Sequence, residues 1–168
     1  MAEGELPALS MRVRGVIVDD DGRVLMDRTH HTDRDVFYWF PGGGLEPGET
    51  SQECLRRELM EAAAVEIDIG RLLYVSENLF VESGDHRHEI ILYFLARITG
   101  GPVGEPSDRR MHEWHRPGDQ PGRLLPPDVA KAVADDLGDG FTRPVLHLVT
   151  DERPSSLRAV PDDGTVEP

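Results

Sequence analysis

The chain has 168 residues, with 18 Lys+Arg against 32 Asp+Glu and a formal net charge of −14 at pH 7. That length suits one globular domain, and that charge excludes holding a nucleic acid polymer by its backbone phosphates, which needs a dense basic face. The lone Cys54 has no intrachain disulfide partner, no apolar run reaches the roughly 18 to 20 residues that span a bilayer, and no segment reads as a signal peptide, so a cytoplasmic protein without a membrane partner is expected.

Met11 to Val18 alternates Arg12 and Arg14 with Met11 and Val13, then turns apolar and stops at Asp19-Asp20-Asp21-Gly22 before a second apolar run, Val24 to Met26. The pattern predicts a β-hairpin. The acidic run lacks the spacing and terminal Glu of a calcium loop, so it reads as the turn. Val36 to Phe40 predicts a strand feeding Pro41-Gly42-Gly43-Gly44, a loop with no side chains to keep a ligand from its backbone. From Thr50 the period becomes helical: Leu55, Leu59, Ala62 and Ala63 share one face, and Thr50 with Glu53 forms the pattern of a capping box. Ile67 to Phe80 and Ile90 to Ile98 predict paired strands around a Ser83-Gly84-Asp85 turn. A short Met111 to His115 segment follows, then a helix from Pro126-Pro127-Asp128 to about Leu137 and a strand from Val145 to Val149. Strands with two helices predict a mixed sheet covered by helices on its faces, with residues 1–150 as the domain and 151–168 as a peripheral tail rich in Pro, Asp, Glu and Ser.

The segment from Gly43 to Val65 carries the chemistry. Glu58 and Glu61 stand three apart on the helix, where like charges normally destabilise by a few tenths of a kcal/mol. A bound cation reverses that sign, and oxygen-only ligands favour a hard ion such as Mg2+ or Mn2+. A solvated helix face, its glutamates paired with Arg56 and Arg57, is the alternative.

Gly43, Glu49, Arg57, Glu58, Leu59, Glu61 and Val65 occupy matching positions of the Nudix box, G-x5-E-x7-R-E-U-x-E-E-x-G-U, so the segment resembles the signature of the MutT-like Nudix hydrolases. Trp39-Phe40-Pro41-Gly42-Gly43 and Leu45 to Thr50 are similar to that family's lead-in. The resemblance implies an α/β class fold, an α/β/α sandwich with a mixed β-sheet, over roughly residues 10 to 150. It also implies a pyrophosphohydrolase that uses Mg2+ (or Mn2+) to cleave a nucleoside diphosphate linked to another moiety.

By the same resemblance, Gly43, Glu58 and Glu61 are the metal ligands and Arg57 orients a box glutamate, while Glu46 and Glu49 fix the loop or a second ion. Two positions depart from the box. Ala62 replaces a glutamate that commonly binds the metal, and Ala64 replaces the glycine that lets the chain leave the helix with positive φ. A nucleotide-binding or regulatory domain with weakened catalysis is therefore the alternative function.

In Nudix folds a carboxylate outside the box often completes the metal site or serves as base, which makes Glu89 a catalytic candidate beside Glu58 and Arg57; pairing with Arg87 or His88 is the structural alternative. His112-Glu113-Trp114-His115 is a weaker metal-like cluster for which a solvated loop or edge strand is preferred. Arg12 and Arg14, on one face of the first strand, are candidates for substrate phosphates, and Trp39 with Phe40 for stacking on a base; exposed arginines and core aromatics are the alternatives. The small-molecule nucleotide is the expected partner, and a homodimer through exposed aromatics near Phe80 and Trp114 is compatible with the resemblance.

Overall fold

The computed structural model describes residues 8–32, 35–102 and 111–154. Nine strands and two helices run in the order β1 (Ala8–Ile17), β2 (Val24–Thr32), β3 (Asp35–Trp39), β4 (Gly42–Gly44), α1 (Ser51–Ala63), β5 (Glu66–Glu82), β6 (Asp85–Gly100), β7 (Met111–His115), β8 (Arg123–Leu125), α2 (Pro127–Leu137) and β9 (Leu146–Asp151). They build not one sheet but two, a five-stranded sheet in the order β4-β1-β6-β5-β9 and a four-stranded sheet in the order β7-β2-β3-β8. Both are mixed: β1 lies parallel to β6, β9 parallel to β5, and β8 parallel to β3.

Side-chain alternation along β1 explains how helices cover both sides. Val13 and Ile17 point into one core with Leu55, Leu59, Phe94 and Val65, beneath α1. Val16 points into the other with Tyr38, Phe40, Tyr93 and Val133, beneath α2. Leu55 and Leu59 are fully buried, and each contributes about 2 kcal/mol by leaving water. At the far end of α2 the Tyr74 hydroxyl donates to Asp136 at 2.7 Å, and Arg143 pairs with the same carboxylate, so the buried acid is satisfied.

The β5–β6 hairpin forms as expected, turning through Ser83 (φ 53°) and Gly84 (φ 89°). The expected first hairpin does not. β1 and β2 share only the bridge Val18 to Val24 and then part into different sheets, although Asp19 still makes the turn by accepting from the Arg23 and Asp21 amides. The glycine segment is likewise not a free loop: Gly42 to Gly44 pairs antiparallel with β1. A Cβ on Gly42 would lie 2.1 Å from the Val13 carbonyl oxygen, so only glycine allows this approach. Asp151, assigned to the tail, is the last residue of β9, and residues 155–168 lie outside the described ones.

Thr50 caps α1 as expected, with both arms of the capping box present. The missing box glycine does not extend the helix. Ala64 itself takes the left-handed conformation, φ 53° and ψ 34°, and its amide donates to the Met60 carbonyl. The fold around the exit, not the residue's own preference, imposes that backbone, at a cost of order 1 kcal/mol for an L-residue. Ala64→Gly should therefore raise unfolding stability by about 1 kcal/mol, read as an increased urea midpoint at unchanged slope; an unchanged or lower midpoint would show that Ala64 carries no strain.

Candidate active site

Four carboxylates converge on one guanidinium. Arg57, half-buried on α1, donates from Nη2 and Nε to the two oxygens of Glu49 at 2.7 and 3.0 Å. Its Nη1 faces Glu58 at 3.2 Å, Glu61 at 3.7 Å and Glu46 at 3.8 Å, and Nη2 also donates to the Gly44 carbonyl at 3.0 Å. This two-pronged pairing suits the planar guanidinium and fastens the glycine segment to the helix. Hydrogen bonding from Arg57, then from the Glu46 amide, holds the Glu49 carboxyl near pKa 2 instead of the ordinary 4.5. Burial, then the neighbouring Glu49, pushes the Cys54 thiol up to about 12, so this free cysteine is a packing residue and not a nucleophile.

The Glu58 carboxyl lies on the backbone of Gly43. A Cβ on that glycine would fall 2.1 Å from it, so any side chain at position 43 would push the Glu58 carboxyl out of this place. Glu61 stands one turn further along, largely exposed. Arg57 cannot neutralise four acids, and the surplus negative charge, the all-oxygen donor set and the glycine cradle fit a hard divalent ion. Ala62, half-buried, adds no ligand, so the site is poorer by one carboxylate than the box it resembles. Within the described residues no cluster of three or more His, Cys, Asp or Glu is already arranged as a metal cage.

Next to the glycine cradle opens a cleft of about 590 Å3, lined by Arg12, Arg14, Arg87, Trp39, Glu89 and Asp27, among others. It concentrates arginines on a strongly acidic protein. Arg12 pairs with Glu89 at 2.5 Å. Arg14 is buried, donates from Nη1 to the Phe40 carbonyl at 2.5 Å, and lies 5.4 Å above the Trp39 ring centroid. A smaller, mostly apolar pocket of about 210 Å3 adjoins it, sharing Trp39, Phe80 and Glu89 and closed by Leu125 and Pro126.

The structure thus sorts the sequence candidates into two neighbouring groups: Arg57, Glu58, Glu61 and Gly43 at the helix, and Arg12, Arg14, Trp39 and Glu89 in the cleft. Arg14 is not an exposed strand arginine, and Phe40 belongs to the core, edge-on to Tyr93. Glu89 takes neither Arg87 nor His88 as partner but Arg12, from the parallel strand. His112 to His115 is an edge strand but not a solvated one. Alternation sends the buried His112 and half-buried Trp114 to the α1 side and Glu113 and His115 to the other, where Glu113 accepts from the Tyr38 hydroxyl at 2.9 Å. Phe80 and Trp114, expected as exposed aromatics, are half-buried. Arg87 and Asp27 were missed as cleft residues; Arg87 could have been found from its two-residue spacing to Glu89, while Asp27 gives no local signal.

The chain matches the NUDIX domain over residues 9–135. It belongs to the Nudix family, the hydrolases of phosphoric anhydride bonds. It is 29% identical over 130 residues to a MutT-like protein of Streptomyces ambofaciens, covering 77% of this chain and 72% of that one. It is 31% identical over 117 residues to the NAD-capped RNA hydrolase NudC of Pectobacterium carotovorum, covering 68% of this chain but only 42% of that relative. A Nudix hydrolase structure from Nitrosomonas europaea superposes with a TM-score of 0.62 at 17% identity, over 82% of this chain and 93% of the other, which supports the fold.

The Glu49–Arg57 pair makes a pH prediction. A carboxylate whose folded pKa is depressed contributes stability that is complete above its unfolded value and fades as pH falls through the folded one. The contribution should be whole above about pH 5 and lost between the ordinary 4.5 and about 2. Carbon NMR titration of the Glu49 carboxyl should give a midpoint near 2, returning toward 4.5 in Arg57→Gln; a midpoint near 4.5 in both proteins contradicts the pairing.

Proposed function

We propose that the chain is a divalent-cation-dependent pyrophosphohydrolase that cleaves a nucleoside diphosphate linked to another moiety. The observation that carries this reading is the juxtaposition of an acid cluster with surplus negative charge and a cleft bearing three arginines on a chain of net charge −14. The first suits a cation and the second suits phosphates. The relative named as an NAD-capped RNA hydrolase supports a nucleotide-derived substrate. The same net charge argues for a small molecule over an RNA chain.

Glu58, Glu61 and the Gly43 carbonyl would hold Mg2+ or Mn2+. When bound, that ion polarises phosphate oxygens and acidifies water. The protein's own groups do the rest. Arg57 keeps Glu58 seated on Gly43, and Glu49 and Glu46 keep Arg57 in place. Arg12, Arg14 and Arg87 bind the phosphates in the cleft, with Trp39 available to a base. Water adds to phosphorus, the bridging P–O bond breaks toward the leaving phosphate, and the water proton passes to Glu58 or Glu89. Phosphate binding to Arg12 would free Glu89 from its ion pair. No helix of the described residues is long and apolar enough to cross a membrane.

Across nucleotide sugars, ADP-ribose and nucleoside triphosphates, at least one compound should be hydrolysed with Mg2+ or Mn2+ and spared with EDTA. Glu58→Gln should lower kcat by a factor of about 100 or more, and Arg12→Ala should raise KM about tenfold, as expected for one lost charge-assisted hydrogen bond. Ala62→Glu should reduce the metal concentration needed for half-maximal rate. Absence of EDTA-sensitive product on every compound, with nucleotide still bound, would replace this reading with a binding or regulatory domain.

A further inference from the structure

The mechanism leaves a buried ionisable pair unused. Asp27 on β2 and His112 on β7 are cross-strand partners, 5% and 8% exposed, with the imidazole Nδ1 2.5 Å from the carboxylate. Burying two such groups is costly unless both are well paired. The other ring nitrogen, Nε2, lies 3.4 Å from the carbonyl oxygen of Ala62. The ring therefore sits between the Asp27 carboxylate on one side and the Ala62 carbonyl on the other, both of them groups that only accept.

Ala62 lies in the last turn of α1, whose final carbonyls have no acceptor role left inside the helix. That turn contains no basic residue. His112 brings a ring nitrogen to the Ala62 carbonyl from a different strand, at the end of the helix that carries Glu58 and Glu61. Asp27 in turn lines the arginine cleft and pairs in register with Trp39. The same two side chains therefore touch the cleft at one end and the acid-bearing helix at the other.

We infer that the Asp27–His112 pair is a positioning device that clamps the end of α1 to the wall of the arginine cleft, fixing where the acid cluster stands relative to the bound phosphates. The inference rests on the hydrolase reading for its purpose but not for its geometry. It also explains how a helix end lacking both the box glutamate and the box glycine keeps its place: the anchor comes from β7 and needs neither.

The test compares wild type with His112→Leu, His112→Gln and Asp27→Asn by amide hydrogen exchange and by kinetics. In His112→Leu and Asp27→Asn, the amides of residues 62–65 should exchange at least tenfold faster while those of α2 and β5 stay within twofold. His112→Gln, which keeps a donor for the Ala62 carbonyl, should recover part of the protection. With a hydrolysed nucleotide, kcat of His112→Leu should fall about 10- to 100-fold and its KM change less than twofold, because His112 does not line the arginine cleft. Exchange at residues 62–65 equal to wild type overturns the clamp. So does acceleration spread evenly over the whole chain, which would make the pair an ordinary core element. A wild-type protein that hydrolyses nothing, yet shows the local acceleration in its variants, upholds the clamp and defeats the hydrolase reading.

Discussion

The crowding of Glu46, Glu49, Glu58 and Glu61 around Arg57 is the constraint to which the rest of the site answers. One guanidinium can hold these acids near each other but cannot neutralise them, so the protein keeps a local excess of negative charge that a divalent ion would relieve. The same guanidinium also bonds the Gly44 carbonyl. It thereby joins helix and glycine strand into one unit, and Gly43, having no side chain, leaves space for Glu58 within that unit.

β1 joins this unit to the arginine cleft. Its odd-numbered Val13 and Ile17 fasten α1, while its even-numbered Arg12 and Arg14 open into the cleft. A single strand thus separates a dry interface from a polar one by the two-residue period alone. Arg14 shows how the polar side is held: the Phe40 carbonyl accepts from it and the Trp39 ring lies beneath it, so its head is fixed by the protein itself. The apolar pocket beyond Trp39 and Phe80 gives a substrate with a flat or apolar end somewhere to extend.

Features encoded within a few residues were legible in the sequence. The capping box of Thr50 and Glu53, the Ser83-Gly84 turn, the Pro127 start of α2 and the helical spacing of Glu58 and Glu61 all depend on neighbours along the chain. Features set by distant pairing were not. Nothing in Met11 to Val18 says that its partner is a strand some eighty residues away, so a local hairpin with Val24 to Met26 was the natural expectation. The glycine run became a strand because β1 offered it a free edge. Asp27 carries no local signal and His112 reads only as part of a metal-like cluster with Glu113 and His115; the β2–β7 pairing is what brings the two together. Ala64 is the converse case: its sequence signal argued against a left-handed exit, and the surrounding packing overrode it.

The central claim is that the acid cluster and the arginine cleft form one site, with a cation at the first and phosphates at the second. Crystals soaked with Mn2+ and a nonhydrolysable nucleoside diphosphate derivative, measured at the manganese edge, test it directly. The account predicts an anomalous peak held by Glu58 and Glu61 beside Gly43, with phosphate oxygens on Arg12, Arg14 or Arg87. A nucleotide bound elsewhere, or those two glutamates facing solvent with no peak at saturating Mn2+, would contradict it.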